Sequence, residues 1–329
     1  MLELKPKFSL AIFVLLGTAA ICGLAQTTTP PTDSNPPARV VPSQPPGATD
    51  QSAPADDKPL PDVIILMRDV EANQRKSEAM QKNYIYHSVE TQQEFDGHGA
   101  VKKTTVTESD HFWVNGVPVR RMVKKDGKPL TPDEISKENE RIDKIAAKAN
   151  EKRQKADDQG KQTDPRGNEE VTVSRLLELG AFNNPRRVLL NGRNAIAVDF
   201  TGDPKAKTRN RAEDVIRDLA GTAWIDEQDH VLASVQGHFV NSFKIGAGLI
   251  ANVQKDTRFA MTQTKINGEV WLPARLEGQG SIHALLFLGF NGSVHVVDSD
   301  YRKFRATSTI LPEVTRAPSP TSPEESPQP

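Results

Sequence analysis

The chain has 329 residues, of which 36% are hydrophobic and only 5% aromatic, so we expect part of it not to fold into a core. Its 42 Lys and Arg side chains nearly balance 43 Asp and Glu side chains, giving a formal net charge of −1. This balance argues against nucleic acid or another charge-driven partner.

Residues 1–25 have the pattern of a secretory signal peptide. Lys5 and Lys7 precede an apolar run from Phe8 to Ala25. Gly23 and Ala25 are the small residues expected before a cleavage site. We therefore predict export to the periplasm or beyond, with cleavage near Ala25.

Cleavage there would remove Cys22, the only cysteine. The mature chain would then have no disulfide, no thiolate nucleophile and no cysteine-based metal site. A lipid anchor on Cys22 is an alternative, although Ile21 stands where a lipobox has Gly, Ala or Ser. An uncleaved N-terminal membrane anchor is another, because an apolar run of this length is at the lower limit for a bilayer span.

Two proline-rich segments flank the middle of the chain. Residues 26–60 and 312–329 contain Pro, Thr, Ser and acidic residues with few large apolar side chains. Such segments cannot bury enough surface to offset their ordering entropy, so we predict a disordered linker and a disordered tail. Residues 61–311 form the predicted folded domain.

The domain begins with an amphipathic helix. Asp62 is its predicted N-cap, and Ile65, Leu66, Val70 and Met80 are predicted to share one face. The sequence then changes to a two-residue period over residues 83–130. Turn dipeptides at 96–97, 115–116 and 126–127 predict about four antiparallel strands there.

Residues 131–168 are predicted to form a helical insertion. Thr131, Pro132 and Glu134 make a capping-box pattern at its start. Its apolar stripe is thin, so the helix should lie on the surface. Its charge run favours a solvated helix face over a partner site.

The rest of the domain is mainly strands. A short helix ends at Gly180, a hairpin turns at 191–192, a third amphipathic stretch ends near Gly221, and strands continue to Ile310. The fold class predicted is α+β: a large curved antiparallel sheet of about ten strands, a half-open β-barrel, with helices packed on its concave side.

The segment "SIHALLFLGFNGSVHVV", residues 281–297, is apolar on both faces of a strand. Leu285 and Phe287 lie on one face, and Ile282 and Phe290 lie on the other. Antiparallel sheets usually expose one face to water. We therefore expect material packed on both sides of this strand.

Three segments resemble the periplasmic lipoprotein-carrier superfamily, which includes LolA-like and RseB-like proteins. They are "DLAGTAWIDEQDHVLASVQGHF", "NGEVWLPARLEGQG" and "LLFLGFNGSVHVVDSDYRKF". The resemblance implies an incomplete barrel around helices that act as a lid, with acyl chains in the cavity. Segment 131–168 has no counterpart in the carrier, although "VKKDGKPLTPDEISKENERIDK" resembles exported proteins of soil bacteria.

The predicted function is a non-enzymatic carrier or sensor that binds a lipid, an acyl chain or a lipoprotein. The predicted cavity lining is Trp224, Phe239, Phe259, Trp271, Leu285 and Phe287. These residue types line cavities and solid cores alike. The alternative is therefore an envelope-tethered interaction module with a solid core and no ligand.

The sequence carries no pattern that favours an enzyme, a cofactor or a metal. His238, His283 and His295 lie on neighbouring predicted strands, but no metal-binding spacing is present. The acidic segment 226–230 could supply an acid and base pair, yet a polar hairpin tip explains it more simply. No nucleophile motif occurs.

Overall fold

The computed structural model describes residues 48–52, 58–161, 163–168, 171–245, 251–255, 257–284 and 288–304. The predicted signal peptide, the predicted tail and the side chains of residues 281–290, including Leu285 and Phe287, lie outside the described part.

The described chain contains four helices and fourteen strands. The helices are α1 (Val63–Gln81), α2 (Pro132–Asp157), α3 (Val173–Leu179) and α4 (Arg211–Arg217). The strands before α3 are β1 (Ala48–Ser52), β2 (Tyr84–Phe95), β3 (Val101–Val114), β4 (Val117–Lys125) and β5 (Lys128–Pro129). The later strands are β6 (Gly180–Leu190), β7 (Arg193–Gly202), β8 (Leu219–Asp226), β9 (Val231–Phe239), β10 (Phe243–Ile245), β11 (Ala251–Val253), β12 (Arg258–Ile266), β13 (Val270–Ala284) and β14 (Leu288–Lys303).

All fourteen strands belong to one open antiparallel sheet. Its main order is β1-β6-β7-β8-β9-β12-β13-β14-β2-β3-β4-β5, with β10 and β11 attached to β13 through β11. This confirms the predicted α+β fold class with a large open sheet. The strand count exceeds the predicted ten because β1, β5, β10 and β11 have five residues or fewer, too few to show a two-residue period.

The predicted turns form where the sequence placed them. Asn115 and Gly116 both have positive φ, at 50° and 74°, and Asn191 and Gly192 repeat this at 52° and 77°. Two successive positive φ values define the tight hairpin turn that Asn-Gly sequences favour. These turns fix the register of β3 with β4 and of β6 with β7.

The sheet has a helix face and an outer face. On the helix face, Ile196 of β7 and Ile225 of β8 pack against Leu66 of α1. On the outer face, Ala195 and Ala197 of β7 pack against Trp224. Four consecutive β7 residues, 195–198, are buried. Both sides of the sheet are therefore covered at this strand.

Helix α1 lies on the helix face. The Asp62 side chain accepts a hydrogen bond from the Ile65 backbone N–H at 2.9 Å, as predicted for its N-cap. Leu66 and Val70 are buried, whereas Ile65 and Met80 are exposed. The predicted apolar face was wrong at these two positions. Ile65 is turned about 100° from Leu66 around the helix axis, and Met80 lies at the end of α1, next to its last residue Gln81.

Helix α2, predicted as a surface insertion, lies on the outer face of the sheet. It starts with the predicted capping box at Thr131 and Glu134. Its buried residues Ile142 and Ala149 pack on Val117 and Val119. Those two β4 residues belong to the outer face, because the neighbouring Arg120 pairs in register with His111 on the helix face. Of the described helices, α1, α3 and α4 pack on the helix face.

Strand β1 lies within the segment predicted as a linker. Its backbone pairs with β6, with Ala48 opposite Leu190. Backbone pairing does not require apolar side chains, so a polar segment can extend a sheet edge that offers free N–H and C=O groups.

Candidate functional site

An apolar cavity of about 230 Å³ lies between α1 and the helix face of the sheet. Its roof is the α1 surface that carries Met67 and Val70, and α3 contributes Leu176. Strands β6 to β9 and β12 form the other walls. Their largest lining side chains are Phe182, Phe200, Leu232, Val235 and Phe259.

Two glycines line the cavity side by side on neighbouring strands. Gly221 of β8 pairs directly with Gly237 of β9, and Gly237 pairs with Phe259 of β12. A Cβ atom on Gly237 would come within 2.9 Å of the Phe259 ring. A Cβ atom on Gly221 would come within 2.0 Å of the Gln236 carbonyl oxygen. The Phe259 ring therefore occupies space that a side chain at 237 would need.

Polar side chains hold α1 over the cavity. Asn73 donates through Nδ2 to the Asp229 carbonyl oxygen at 3.0 Å, and Gln81 donates through Nε2 to the Trp271 carbonyl oxygen at 3.0 Å. Asp69 lies 3.0 Å from His230 Nδ1. These contacts fix the rotation of the helix and so direct Met67 and Val70 into the cavity.

The cavity borders on charged side chains of α1. Glu71, Gln74, Arg75 and Glu78 are among its lining residues, and the Arg75 guanidinium lies 3.7 Å from Glu71. None of the four is fully buried. The apolar walls therefore end at a polar rim that water reaches.

The structure separates the predicted lining residues. Phe259 lines the cavity. Phe239 lies on the same face but is not a lining residue; it packs beside the cavity with Leu179, Val215 and Ile216. Leu285 and Phe287 lie outside the described residues.

Trp224 and Trp271 lie on the outer face, away from this cavity. Both belong to the cluster that contains Ala195 and Ala197. The Trp271 indole N–H donates to Asp229 Oδ2 at 2.9 Å. Side chains alternate along a strand, so Trp224 must point away from α1 when its neighbour Ile225 points towards it. Nothing in the alternation itself shows which face carries the helices.

Several lining residues were missed by the sequence interpretation. Ile196, Val198 and Phe200 alternate along β7, and this pattern could have identified Phe200. Met67 was missed because the predicted stripe on α1 was rotated. Phe182 follows directly after α3, where the sequence predicted no strand.

A buried polar cluster lies elsewhere on the helix face, on β2, β3 and β14. The rings of Tyr86 and His111 stack with centroids 4.6 Å apart, and Ser88 Oγ lies 3.0 Å from His111 Nε2. Burial, with the nearby cations Arg120 and Arg166, lowers the pKa of His111 to about 3. This histidine therefore stays neutral at physiological pH.

The acidic segment 226–230 is a hairpin tip held by ion pairs. Arg193 binds Asp226 through Nε at 2.6 Å, and Lys265 lies 2.7 Å from Asp229. Burial raises the pKa of Asp229, but hydrogen bonds from Lys265 and Trp271 outweigh it, so the pKa is lowered. Among the described residues, no group of three His, Cys, Asp or Glu side chains could hold a metal ion.

No protein-family model matches the chain, and no curated protein matches it. Solved structures do show similarity to it. A domain from Vibrio parahaemolyticus assigned to outer membrane lipoprotein sorting is 10% identical, with a TM-score of 0.31, and the match covers 72% of this chain and 93% of that one. A LolA superfamily protein from Nitrosomonas europaea is 9% identical, with the same coverage and a TM-score of 0.29.

The MucA/MucB complex of Pseudomonas aeruginosa provides a third similar structure. It is 10% identical, the match covers 72% of this chain and 100% of that one, and the TM-score is 0.21. The similar structures thus include a LolA superfamily protein and a MucB complex. Among the described residues, no helix combines the length and the apolar character needed to cross a membrane.

Proposed function

We propose that this chain is an exported, non-enzymatic carrier or sensor that binds a hydrocarbon chain of a lipid or lipoprotein in the cavity beneath α1. The observation that carries the proposal is the cavity itself, about 230 Å³ in volume and walled by aliphatic and aromatic side chains. Each methylene group that enters such a space gains about 0.8 kcal/mol relative to water.

The chemistry of the cavity favours an amphiphile over water or a polar metabolite. A water molecule needs two to four polar partners, and the inner walls formed by Val70, Leu232 and Val235 offer none. The polar rim at Glu71 and Arg75 suits the hydrated end of an amphiphile. An acyl chain can therefore lie inside while its headgroup stays in water.

The proposal assigns Phe259 as a ligand-contacting residue and retains Leu285 and Phe287 as predicted contacts. It also retains the predicted signal peptide, with residues 26–47, which precede β1, as a spacer. Mass spectrometry of the protein purified from the periplasm tests export: a mature N-terminus at Gln26 supports it, and an acylated Cys22 supports the anchored alternative.

Lipid analysis of the purified protein tests ligand binding. We expect organic extracts of the native protein to contain bound acyl species, and a fluorescent fatty acid to bind and be displaced by unlabelled lipid. A variant with Val235→Phe fills the cavity and should weaken binding of the probe at least tenfold. Lys103→Phe places the same side chain at an exposed position on β3 and should leave binding unchanged.

A folded native protein that carries no lipid and binds no probe would contradict the proposal and support the interaction module with a solid core. Thermal melting of both variants shows whether a loss of binding reflects a loss of folding.

A further inference from the structure

The volume of the cavity sets a limit on how much hydrocarbon it can hold. A protein cavity of about 150 Å³ lined by Leu, Ile and Phe admits one benzene molecule, which has six carbon atoms. On that scale, the 230 Å³ beneath α1 holds on the order of nine carbon atoms.

Aromatic rings limit the depth of the space. Phe259 lies over Gly237, so the ring fills the place beside that strand where a side chain is missing. Phe182 and Phe200 pack against each other with ring centroids 5.1 Å apart. All three side chains line the cavity. A chain that enters past α1 therefore meets aromatic rings on β6, β7 and β12.

Charged groups border the space on the α1 side. Glu71, Arg75 and Glu78 stand where the apolar walls meet water. A methylene group lying against them is only partly removed from water, so it gains little of the burial free energy.

Resting on the proposed function, we infer that the cavity selects one unbranched hydrocarbon segment of medium length, roughly eight to ten carbon atoms. Its ligand is a single-chain amphiphile or one short arm of a lipid. The three aromatic rings and the charged rim together determine this length.

Calorimetric titration with linear alkanols from pentanol to tetradecanol tests the inference. These probes have a small neutral headgroup, so their affinities differ through chain length alone. We expect affinity to rise about fourfold with each added methylene as far as octanol to decanol, and then to stop rising.

The outcomes distinguish the inferred chain-length limit from the proposed function. The break is the chain length at which affinity stops rising. A break near nonanol supports the inference. A continued rise through tetradecanol overturns it and leaves the proposed function intact. If no alkanol binds, the proposed function fails as well.

A matched pair of variants tests the role of Phe259. Phe259→Ala removes a ring and should move the break to chains longer by up to about six carbon atoms. Phe112→Ala makes the same truncation on the outer face, in the cluster beneath α2, and should leave the break in place. An equal effect of the two changes would overturn the role of Phe259.

Val235→Leu supplies a second measurement if Phe259→Ala does not fold. It adds one carbon atom at the cavity wall and should shorten the preferred chain by about one carbon atom. An unchanged break in a folded Val235→Leu protein would also overturn the inference.

Discussion

Asp298 is a partly buried carboxylic acid that the cavity does not use. It lies on β14 beside β2, where it pairs in register with Ser88. Its Oδ1 atom is buried without a hydrogen-bond partner among the described residues. Burial raises the pKa of Asp298 to about 7, although the nearby His87 lowers it. The folded protein therefore favours the neutral acid, and ionisation of this group destabilises it.

Replacement of Asp298 by asparagine should remove a pH dependence of stability. The folded-state pKa lies above the ordinary value of 3.8, so the folded protein binds the proton more tightly than the unfolded chain does. The stabilisation is complete below pH 3.8 and is lost as pH rises through 7. We expect the native free energy of unfolding to fall by about 2 kcal/mol between pH 5 and pH 8.

Urea denaturation at several pH values measures this effect. Asp298→Asn should flatten the dependence and stabilise the protein at pH 8. Asp300→Asn is the matched control, because Asp300 is exposed and asparagine accepts its φ of 52°. If the free energy of unfolding depends on pH equally in Asp298→Asn and in the native protein, ionisation of Asp298 does not destabilise the fold.

At the level of single elements, α2 acts as a cover for a sheet edge. Strand β4 pairs with β5 only at Lys124 and Lys125, which leaves most of its outer backbone groups without a strand partner. Glu138 of α2 accepts from the Met122 backbone N–H at 2.8 Å, and Arg141 donates to the Arg120 carbonyl oxygen at 2.5 Å.

A third α2 side chain extends this cover to the start of β4. Arg153 donates to the carbonyl oxygens of Asn115 and Gly116 at 3.0 and 3.2 Å. Side chains of one helix thus satisfy backbone groups that would otherwise be open to another strand.

Loss of this cover should allow the edge of β4 to pair with a strand of a second molecule. We expect Glu138→Ala combined with Arg141→Ala to destabilise the protein by about 1 to 3 kcal/mol, because each change removes a hydrogen bond to the backbone that contributes about 0.5 to 1.5 kcal/mol. We also expect self-association through β4, seen by sedimentation velocity as a larger dimer fraction than in the native protein.

The pair Glu140→Ala and Lys144→Ala provides the control for the edge variant. These residues form an exposed ion pair on the same helix, so their loss should change stability by less than about 1 kcal/mol. If the edge variant unfolds at the same urea concentration as this control and sediments like it, α2 does not protect the edge.

Individual elements show which structural features could be predicted from the sequence. The Thr131 capping box and the Asn191-Gly192 turn were predicted correctly because each depends on neighbouring residues alone. The contacts of Glu138 and Arg141 could not be predicted, because their partners are backbone groups that carry no side-chain signal. Trp224 was assigned to the cavity for a related reason: period-two alternation separates two faces without showing which one faces the helices.

At the scale of the whole molecule, α1 crosses the sheet and roofs the cavity. Leu66 near its start contacts Ile196 on β7, and Gln81 at its end reaches the Trp271 carbonyl on β13. The sequence predicted such a helix and a cavity inside the sheet. It could not show where the cavity lies, because an unfilled space depends on how Gly237 and Phe259 of different strands meet.

The sheet and the α1 layer differ in how many hydrogen bonds and packing contacts hold them in place. Strand β8 is hydrogen-bonded along both edges, to β7 and to β9. Helix α1 packs partly over empty space and relies on a few side-chain hydrogen bonds such as that of Asn73. We therefore expect α1 to detach from the sheet before the sheet itself unfolds.

Native-state hydrogen exchange distinguishes detachment of α1 from global unfolding. Amides of α1 should exchange through an opening that costs less free energy than the opening that exposes β8. Asn73→Ala removes the hydrogen bonds from Nδ2 to the Asp229 and His230 carbonyl oxygens, worth about 1 kcal/mol together, so it should speed exchange in α1 about fivefold and leave the difference between β8 and global unfolding unchanged. Arg68→Ala, an exposed change on the same helix, should affect neither layer.

If α1 and β8 share one opening free energy and respond equally to Asn73→Ala, the cavity opens only when the whole domain unfolds, and a ligand could not enter or leave by release of the helix alone.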